Sequence, residues 1–214
     1  MTTATTETAY PSLTPPASRQ PSPFNLANQL TFARFLLAIL LFVQISKGWW
    51  LGALVTFAIA ALTDWLDGLA ARRLKIGSTL GRNFDPMVDK ILICGAFTCL
   101  LPYGTDQTGL APWMVVIVLS RELLVTSLRS YMEQHYAAFG ADWAGKVKMV
   151  LQCAALFAIF SVFWLAPTSS PPVRMDWATI VRDLLVIAMT VATVVSGLLY
   201  LRQAYLLYTR DKAL

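Results

Sequence analysis

Four aspartates stand close together in the sequence, at spacings that could bring their carboxylates to one place. Asp64 and Asp67 are three residues apart, and Asp85 and Asp89 are four residues apart. Residues three or four positions apart share one face of an α-helix, so each pair predicts an acidic helix face. A short basic loop between the two helices would make them antiparallel neighbours, and the two acidic faces could then meet.

Carboxylates gathered in this way repel one another unless a cation neutralises them. Mg²⁺, Mn²⁺ and Ca²⁺ prefer oxygen ligands, and four carboxylates could hold two such ions. The stretch from Leu62 to Lys90 contains no His or Cys, which argues against zinc. Ion pairs with nearby arginines would account for one or two of the acids but not for four. We therefore predict a site for hard divalent cations, Mg²⁺ or Mn²⁺ above all.

Two glycines and an arginine accompany the acids. Gly68 directly follows Asp67, and Gly81 lies four residues before Asp85, on the same predicted helix faces. A glycine lets a bulky ligand approach the backbone, and the guanidinium of Arg72 can bind a phosphate with two parallel hydrogen bonds. Carboxylates, metal, small residues and an arginine together predict a phosphate ester or pyrophosphate as the substrate.

The elements that carry these residues are predicted to be membrane helices. Of the 214 residues, 57% are hydrophobic and 14% are charged, whereas soluble domains have about 25% charged residues. Residues 1–24 are rich in Thr, Ser and Pro and predict a disordered tail, followed by a catalytic domain over 25–214. A crossing needs ~20 residues, and the six predicted spans are Ala27–Ser46, Trp49–Ala71, Phe84–Leu101, Leu110–Tyr131, Met149–Ala166 and Ile180–Leu201.

The distribution of Lys and Arg predicts the orientation of these spans. Loops rich in Lys and Arg face the cytoplasm. Both chain ends and the loops 72–83 and 132–146 collect most of these residues, whereas the other side has only Lys47, Arg174 and Arg182. Both termini are therefore predicted to be cytoplasmic. The tryptophans predicted to anchor the spans at the membrane interface are Trp49, Trp50, Trp113, Trp164 and Trp177.

The acidic stretch resembles the signature of the CDP-alcohol phosphatidyltransferases at every fixed position. The matching residues are Asp64, Asp67, Gly68, Ala71, Arg72, Gly81, Asp85 and Asp89. The resemblance implies an all-α, six-helix integral membrane fold, a homodimer and a location in a bacterial inner membrane with the active site facing the cytoplasm. It also implies an enzyme that displaces CMP from a CDP-linked alcohol by attack of a second hydroxyl group.

The resemblance assigns a role to each matching residue. Asp64, Asp67 and Asp85 would bind the metal ions. Asp89 would adjoin the metal and act as the base that takes the proton of the attacking hydroxyl. The residues expected around the CDP-diacylglycerol donor are Asn28, Thr31, Gly68, Ala71, Arg72, Ser78 and Gly81. For Asn28 and Thr31, capping of the first helix is an equally good interpretation.

Three further segments resemble family members that use sn-glycerol 3-phosphate as the acceptor. They are Asn25–Phe35, Ser120–Tyr131 and Gly145–Gln152. An arginine inside a span needs a partner or a polar cavity, which favours a phosphate ligand for Arg121. The predicted acceptor-phosphate residues are Arg121, Arg129, Lys146 and Lys148. Lys146 and Lys148 are explained equally well by membrane topology alone.

Arg121 and Glu122 are adjacent in the sequence. Successive side chains on a helix point about 100° apart, so we expect each of the two to have a partner elsewhere.

Two alternatives to this function remain open on the sequence. Another acceptor, such as inositol phosphate, serine or a second phospholipid, would use the same acidic site. A cation transporter would need acidic residues along a path to the far side of the membrane, and the far halves of the spans have essentially none.

Overall fold

The computed structural model describes the backbone of residues 26–74, 79–135, 143–165 and 177–211. Within these ranges it describes side chains except at positions 26–28, 30, 64–74, 79–86, 133–135, 208, 210 and 211. The predicted tail, residues 1–24, lies outside the described residues, so its disorder and the domain boundary remain predictions.

Within the described ranges, every regular element is a helix. The α-helices are α1 (Leu26–Ser46), α2 (Trp50–Leu74), α3 (Thr79–Leu100), the one-turn α4 (Thr105–Thr108), α5 (Pro112–His135), α6 (Trp143–Leu165) and α7 (Trp177–Asp211). A 3₁₀ turn at Leu101–Tyr103 precedes α4. The prediction of an all-α fold is therefore confirmed for this part of the chain.

Each predicted span corresponds to one long helix, but some helices begin earlier than the apolar runs do. The third helix begins at Thr79 rather than Phe84, and α6 begins at Trp143 rather than Met149. The additional residues are 79–83 in α3 and 143–148 in α6. A helix can continue beyond its apolar segment because its backbone hydrogen bonds do not require apolar side chains. As a result, Lys148 lies inside α6 and not in a loop before it.

The six long helices pack in a closed ring. Around it, α1 packs against α2 and α3, α2 against α6, α6 against α7, α7 against α5, and α5 against α3. Helix α3 also contacts α6 across the ring. Residues of α3 can therefore meet side chains from α1, α5 and α6, which is the arrangement a composite site requires.

The apolar core and a polar region occupy different levels of this ring. Fully buried core residues include Leu41, Phe57, Phe97, Leu156 and Met189. In α3 they lie in the second half of the helix, whereas the charged residues lie in the first half. The core thus holds one end of the ring together and leaves the other end for polar chemistry.

Trp50 belongs to the interior, so its predicted role as an interfacial anchor is wrong. Its ring stacks on Phe163 at a centroid distance of 3.9 Å and meets Tyr103 edge-on at 4.8 Å. The Tyr103 hydroxyl donates to the backbone carbonyl of Ile45. The aromatic contacts join the start of α2 to the end of α6, and they also fix the turn after α3. The position of Trp50 is thus decided by packing against Phe163, 113 positions away in the sequence, and not by its place at the end of an apolar run.

The turn between α3 and α5 is held to α7 by the side chain of Arg182. Arg182 is buried, donates to Asp183 Oδ1 at 2.8 Å and also donates to the carbonyl of Gln107. Gly109 has φ of +68°, and a Cβ atom there would collide with the Asp183 carboxylate. Another residue at this position would therefore have a strained backbone and would have to displace the Asp183 carboxylate.

The outer surface of the ring is apolar. Exposed side chains include Leu36 on α1, Val116 and Leu123 on α5, and Leu184 and Leu198 on α7. In the described part of the chain, α6 and residues 177–207 are long and apolar enough to cross a membrane. The apolar parts of α1 and α2, 31–46 and 50–63, are shorter. The number of crossings therefore remains a prediction.

Candidate active site

The polar region begins with an ion pair between α1 and α3. Arg34 Nη1 donates to Asp89 Oδ1 at 2.9 Å, and the arginine side chain is only 3% exposed. The close contact of the two helices explains the pair. Gly95 of α3 lies against the ring of Phe42, where a Cβ atom would overlap the ring. The absence of a side chain at Gly95 lets α3 approach α1 closely enough for Arg34 to reach Asp89.

A buried stripe on α1 aims Arg34 at α3. Its members are Thr31, Arg34, Ala38, Leu41 and Ile45, all buried and spaced alternately three and four residues apart. This spacing keeps one helix face in contact with a neighbour. The three apolar residues hold the helix in place, and the two polar residues extend the same face into the polar region.

Asp89 lines a cavity of about 190 Å³ between α3, α5 and α6. We call this the polar cavity. Its polar lining residues are Asp89, Lys90, Cys94, Glu122, Lys148 and Gln152. Glycerol-sized molecules fit a space of this volume. The cavity brings the predicted base, Asp89, together with Lys148, a predicted phosphate ligand 59 positions away in the sequence.

Glu122 lies at the centre of the charged contacts in this cavity. Its Oε1 accepts from the ammonium of Lys148 and, at 3.2 Å, from Arg121 Nη1. The expectation that Arg121 and Glu122 would point to different partners is therefore wrong for this pair, because the long arginine side chain folds back along α5. The expectation of a partner on another helix is correct for Glu122, which holds Lys148 of α6.

Lys90 and Thr126 link α3 to α5 beside the cavity. The Lys90 ammonium donates to the Thr126 hydroxyl, which in turn donates to the backbone carbonyl of Glu122 one turn earlier. Both arginines of α5, Arg121 and Arg129, lie close enough to Lys90 to repel its charge. Three cations, Lys90, Arg121 and Lys148, lie near the single carboxylate of Glu122, and this excess of positive charge favours an anionic ligand.

The two arginines of α5 differ in their surroundings. Arg121 packs across α7 at Gly197, where a Cβ atom would lie 3.3 Å from the arginine Cγ. Its buried Nε has no hydrogen-bond partner among the described residues. Arg129 instead donates from Nε to the Tyr200 hydroxyl at 3.2 Å and lies over the tyrosine ring. Arg121 therefore has unused hydrogen-bonding capacity beside the cavity, whereas Arg129 is engaged with α7.

Several predicted site residues lie outside the described side chains. They are Asn28, Asp64, Asp67, Gly68, Ala71, Arg72, Ser78, Gly81 and Asp85. Their roles, including those of three of the four proposed metal ligands, remain predictions. Among the described residues, no group of three or more His, Cys, Asp or Glu side chains is close enough to hold a metal ion. Lys146 is described and exposed, and it is not a lining residue of the polar cavity.

Lys90, Thr126 and Gln152 lie at or beside the cavity, although no role was predicted for any of them from the sequence. One signal was available for Gln152, because it lies four residues after Lys148 and must share its helix face. Lys90 directly follows Asp89, but a lysine near the end of a predicted span is explained equally well by topology. No spacing pattern pointed to Thr126.

Comparison with known proteins identifies the class to which this site belongs. Residues 24–196 match the model of the CDP-alcohol phosphatidyltransferase family. The chain therefore belongs to that family and is an enzyme of the phosphatidyltransferase class, as the acidic signature predicted.

The relatives narrow the comparison further. A Bacillus subtilis protein named CDP-diacylglycerol–glycerol-3-phosphate 3-phosphatidyltransferase is 34% identical over 152 residues, covering 64% of this chain and 76% of the relative. A Rickettsia typhi protein of the same name is 30% identical over 182 residues, covering 83% of this chain and 96% of the relative. An Arabidopsis thaliana relative, whose name places it in chloroplasts and mitochondria, is 28% identical over 163 residues. The match covers 68% of this chain and 55% of the relative.

Proposed function

We propose that this enzyme transfers the phosphatidyl group of CDP-diacylglycerol to sn-glycerol 3-phosphate, giving phosphatidylglycerophosphate and CMP. The observation that carries the proposal is the polar cavity, which is lined by both the Asp89 carboxylate and the Lys148 ammonium. A phosphorylated alcohol has one hydroxyl to be deprotonated and one dianionic phosphate to be bound. The names of the relatives agree with this acceptor.

The acceptor half of the reaction follows from the described residues. Lys148 and Arg121 bind the phosphate, and Glu122 holds both cations in place between substrates. The Asp89 carboxylate accepts the proton of the acceptor's primary hydroxyl. The hydroxyl oxygen then forms a bond to the phosphorus that bears the diacylglycerol, and the bond from that phosphorus to the oxygen of CMP breaks. Arg34 positions the Asp89 carboxylate for this step.

The donor half rests on the acidic signature. Asp64, Asp67, Asp85 and Asp89 supply only carboxylate oxygens, a donor set that fits Mg²⁺ or Mn²⁺. A bound divalent ion would neutralise the charge that develops on the pyrophosphate. By the resemblance, Arg72 would bind the same phosphates, and Gly68, Ala71 and Gly81, together with Ser78, would leave room for the nucleotide. Asn28 and Thr31, at the start of the first helix, would contact the donor as well.

We further propose that all six long helices cross a membrane, with the polar cavity at the cytoplasmic face and the protein in a cell inner membrane. Five exposed tryptophans among the described residues agree with this arrangement: Trp49, Trp113, Trp143, Trp164 and Trp177. In a six-span arrangement Trp143, at the start of α6, lies at the cytoplasmic interface, and the other four lie at the opposite interface. The resemblance also predicts a homodimer, which the mass of the detergent-solubilised protein would test.

Site-directed labelling tests the orientation. A cysteine introduced at position 140 should react with an impermeant maleimide only from the cytoplasmic side. One introduced at Asp106, in the exposed turn between α3 and α5, should react only from the opposite side. The native cysteines Cys94, Cys99 and Cys153 would be replaced by alanine as background. The reverse labelling pattern would place the site away from cytoplasmic glycerol phosphate and overturn the orientation.

A panel of acceptors tests the function itself. The purified enzyme with CDP-diacylglycerol should form phosphatidylglycerophosphate with glycerol 3-phosphate, and mass spectrometry identifies the product. Inositol phosphate, serine and phosphatidylglycerol should give no product at comparable rates. Product from one of these and none from glycerol 3-phosphate would assign the enzyme a different acceptor.

In the same assay, the Arg121→Ala variant tests whether Arg121 binds the acceptor phosphate. Loss of a charge-assisted hydrogen bond costs about 1.5–3 kcal/mol, so kcat/KM for glycerol 3-phosphate should fall by about 10- to 150-fold. The KM for CDP-diacylglycerol should stay within a few-fold. Arg121→Lys should rescue only partly, because lysine lacks the two-pronged guanidinium. A folded Arg121→Ala enzyme with unchanged acceptor kinetics would show that the phosphate is bound elsewhere.

A further inference from the structure

One polar group in the cavity has no task in the mechanism described above. Gln152 is only 1% exposed, and its side-chain nitrogen forms no hydrogen bond with any described residue. The residue nevertheless lines the polar cavity. A buried amide without a partner costs about 1–3 kcal/mol, so its presence there points to a ligand that supplies the missing bond.

We propose that Gln152 is a specificity-determining residue that binds a neutral hydroxyl group of the acceptor alcohol. The inference rests on the proposed function and goes further, because it concerns the part of the acceptor that neither reacts nor carries charge. An amide has both donors and an acceptor, and a hydroxyl has both as well, so the two can pair in either direction.

The placement of Gln152 matches the layout of such an acceptor. Gln152 lies four residues after Lys148, so the two side chains share one face of α6 and are one helical turn apart. Asp89 lines the same cavity from α3. A three-carbon acceptor with a phosphate at one end and the reacting hydroxyl at the other has its middle hydroxyl between them. The cavity offers three chemically different groups, a cation, a carboxylate and an amide, for these three positions.

The amide of Gln152 suits a neutral ligand group rather than a charged one. It carries no charge, so a charged group bound to it would lose hydration without gaining an ion pair from it. Ile93, Cys94 and Met149 line the same cavity. The ionic contacts of the cavity are made by Lys148 and Glu122 instead. Gln152 therefore selects for an acceptor that carries a hydroxyl next to the reacting carbon.

The test compares two acceptors, glycerol 3-phosphate and 3-hydroxypropyl phosphate, which lacks only the middle hydroxyl. The wild-type enzyme should prefer glycerol 3-phosphate in kcat/KM by about 5- to 30-fold, the value of one buried hydrogen bond. In Gln152→Met, which keeps the side-chain volume, kcat/KM for glycerol 3-phosphate should fall by that factor. The value for 3-hydroxypropyl phosphate should not change, so the preference disappears.

Gln44→Met is the matched control. Gln44 also has a buried side-chain atom, Oε1, without a hydrogen-bond partner among the described residues, but it lies on α1 and does not line the cavity. The substitution is chemically the same, and the preference for glycerol 3-phosphate should remain at the wild-type value.

The outcomes separate this inference from the function on which it rests. If Gln152→Met lowers kcat/KM for both acceptors equally, Gln152 is structural and the inference is wrong. A wild-type enzyme that uses both acceptors equally well also overturns it, even if the variant does not fold. If the wild-type enzyme makes no product from glycerol 3-phosphate, the proposed function is wrong, and the inference about Gln152 is wrong with it.

Discussion

Replacing Asp89 with asparagine is expected to lower the rate of CMP release by about 10²- to 10⁴-fold, the usual contribution of a general base. Asparagine keeps the size of the side chain and can still accept a hydrogen bond from Arg34, but it cannot take the proton of the attacking hydroxyl. The loss should appear in kcat, because the acceptor phosphate would still bind Lys148. Initial rates at saturating acceptor measure this directly.

Asp183→Asn provides a matched control for this substitution. Asp183 is also ion-paired with an arginine, Arg182, at 2.8 Å, but it lies beside the turn between α3 and α5 and does not line the polar cavity. Its activity should remain within about two-fold of wild type, because the half-exposed Asp183 side chain takes no part in the polar cavity and asparagine can still accept the hydrogen bond from Arg182. If Asp89→Asn folds and keeps wild-type kcat, a different group takes the proton.

Removal of divalent metal is expected to abolish turnover altogether. Excess EDTA should stop CMP release, and added Mg²⁺ or Mn²⁺ should restore it. Without the cation, the proposed carboxylates of Asp64, Asp67, Asp85 and Asp89 would face the pyrophosphate and repel it, so donor binding and the chemical step would both fail. Full activity in excess chelator would contradict the metal site.

The Asp67→Asn variant tests whether the metal acts at the proposed carboxylate site or through a general effect on the membrane. Its turnover should be nearly lost, although the protein remains inserted. Binding of Mg²⁺ or Mn²⁺ stabilises the folded state by an amount that grows with concentration above the dissociation constant. The ion should therefore raise the Tm of the wild-type enzyme in detergent but not that of Asp67→Asn. Equal shifts in both proteins would indicate that Asp67 does not bind the ion.

The existence of the long helices and the family were predictable from the sequence. Apolar runs of about 20 residues are a property of contiguous sequence, and each of the six runs coincides with a long helix. The acidic signature likewise consists of residues within one 26-residue stretch, from Asp64 to Asp89. The helix ends were less predictable, because α3 and α6 extend past their apolar parts, and hydropathy does not mark where the hydrogen bonds of a helix backbone begin.

Only the tertiary structure could pair the residues of the polar cavity. The Arg34–Asp89 bond joins positions 55 apart, and the Lys148–Glu122 bond joins positions 26 apart. Which side chains meet depends on how each helix is rotated about its axis and how closely it approaches its neighbours. Those quantities are decided by packing contacts such as Phe42 against Gly95.

Thus the sequence by itself determined the helices and the signature, whose causes are local. The tertiary structure decided that Asp89, Lys148 and Gln152 share one cavity, because their approach depends on the packing of several helices at once.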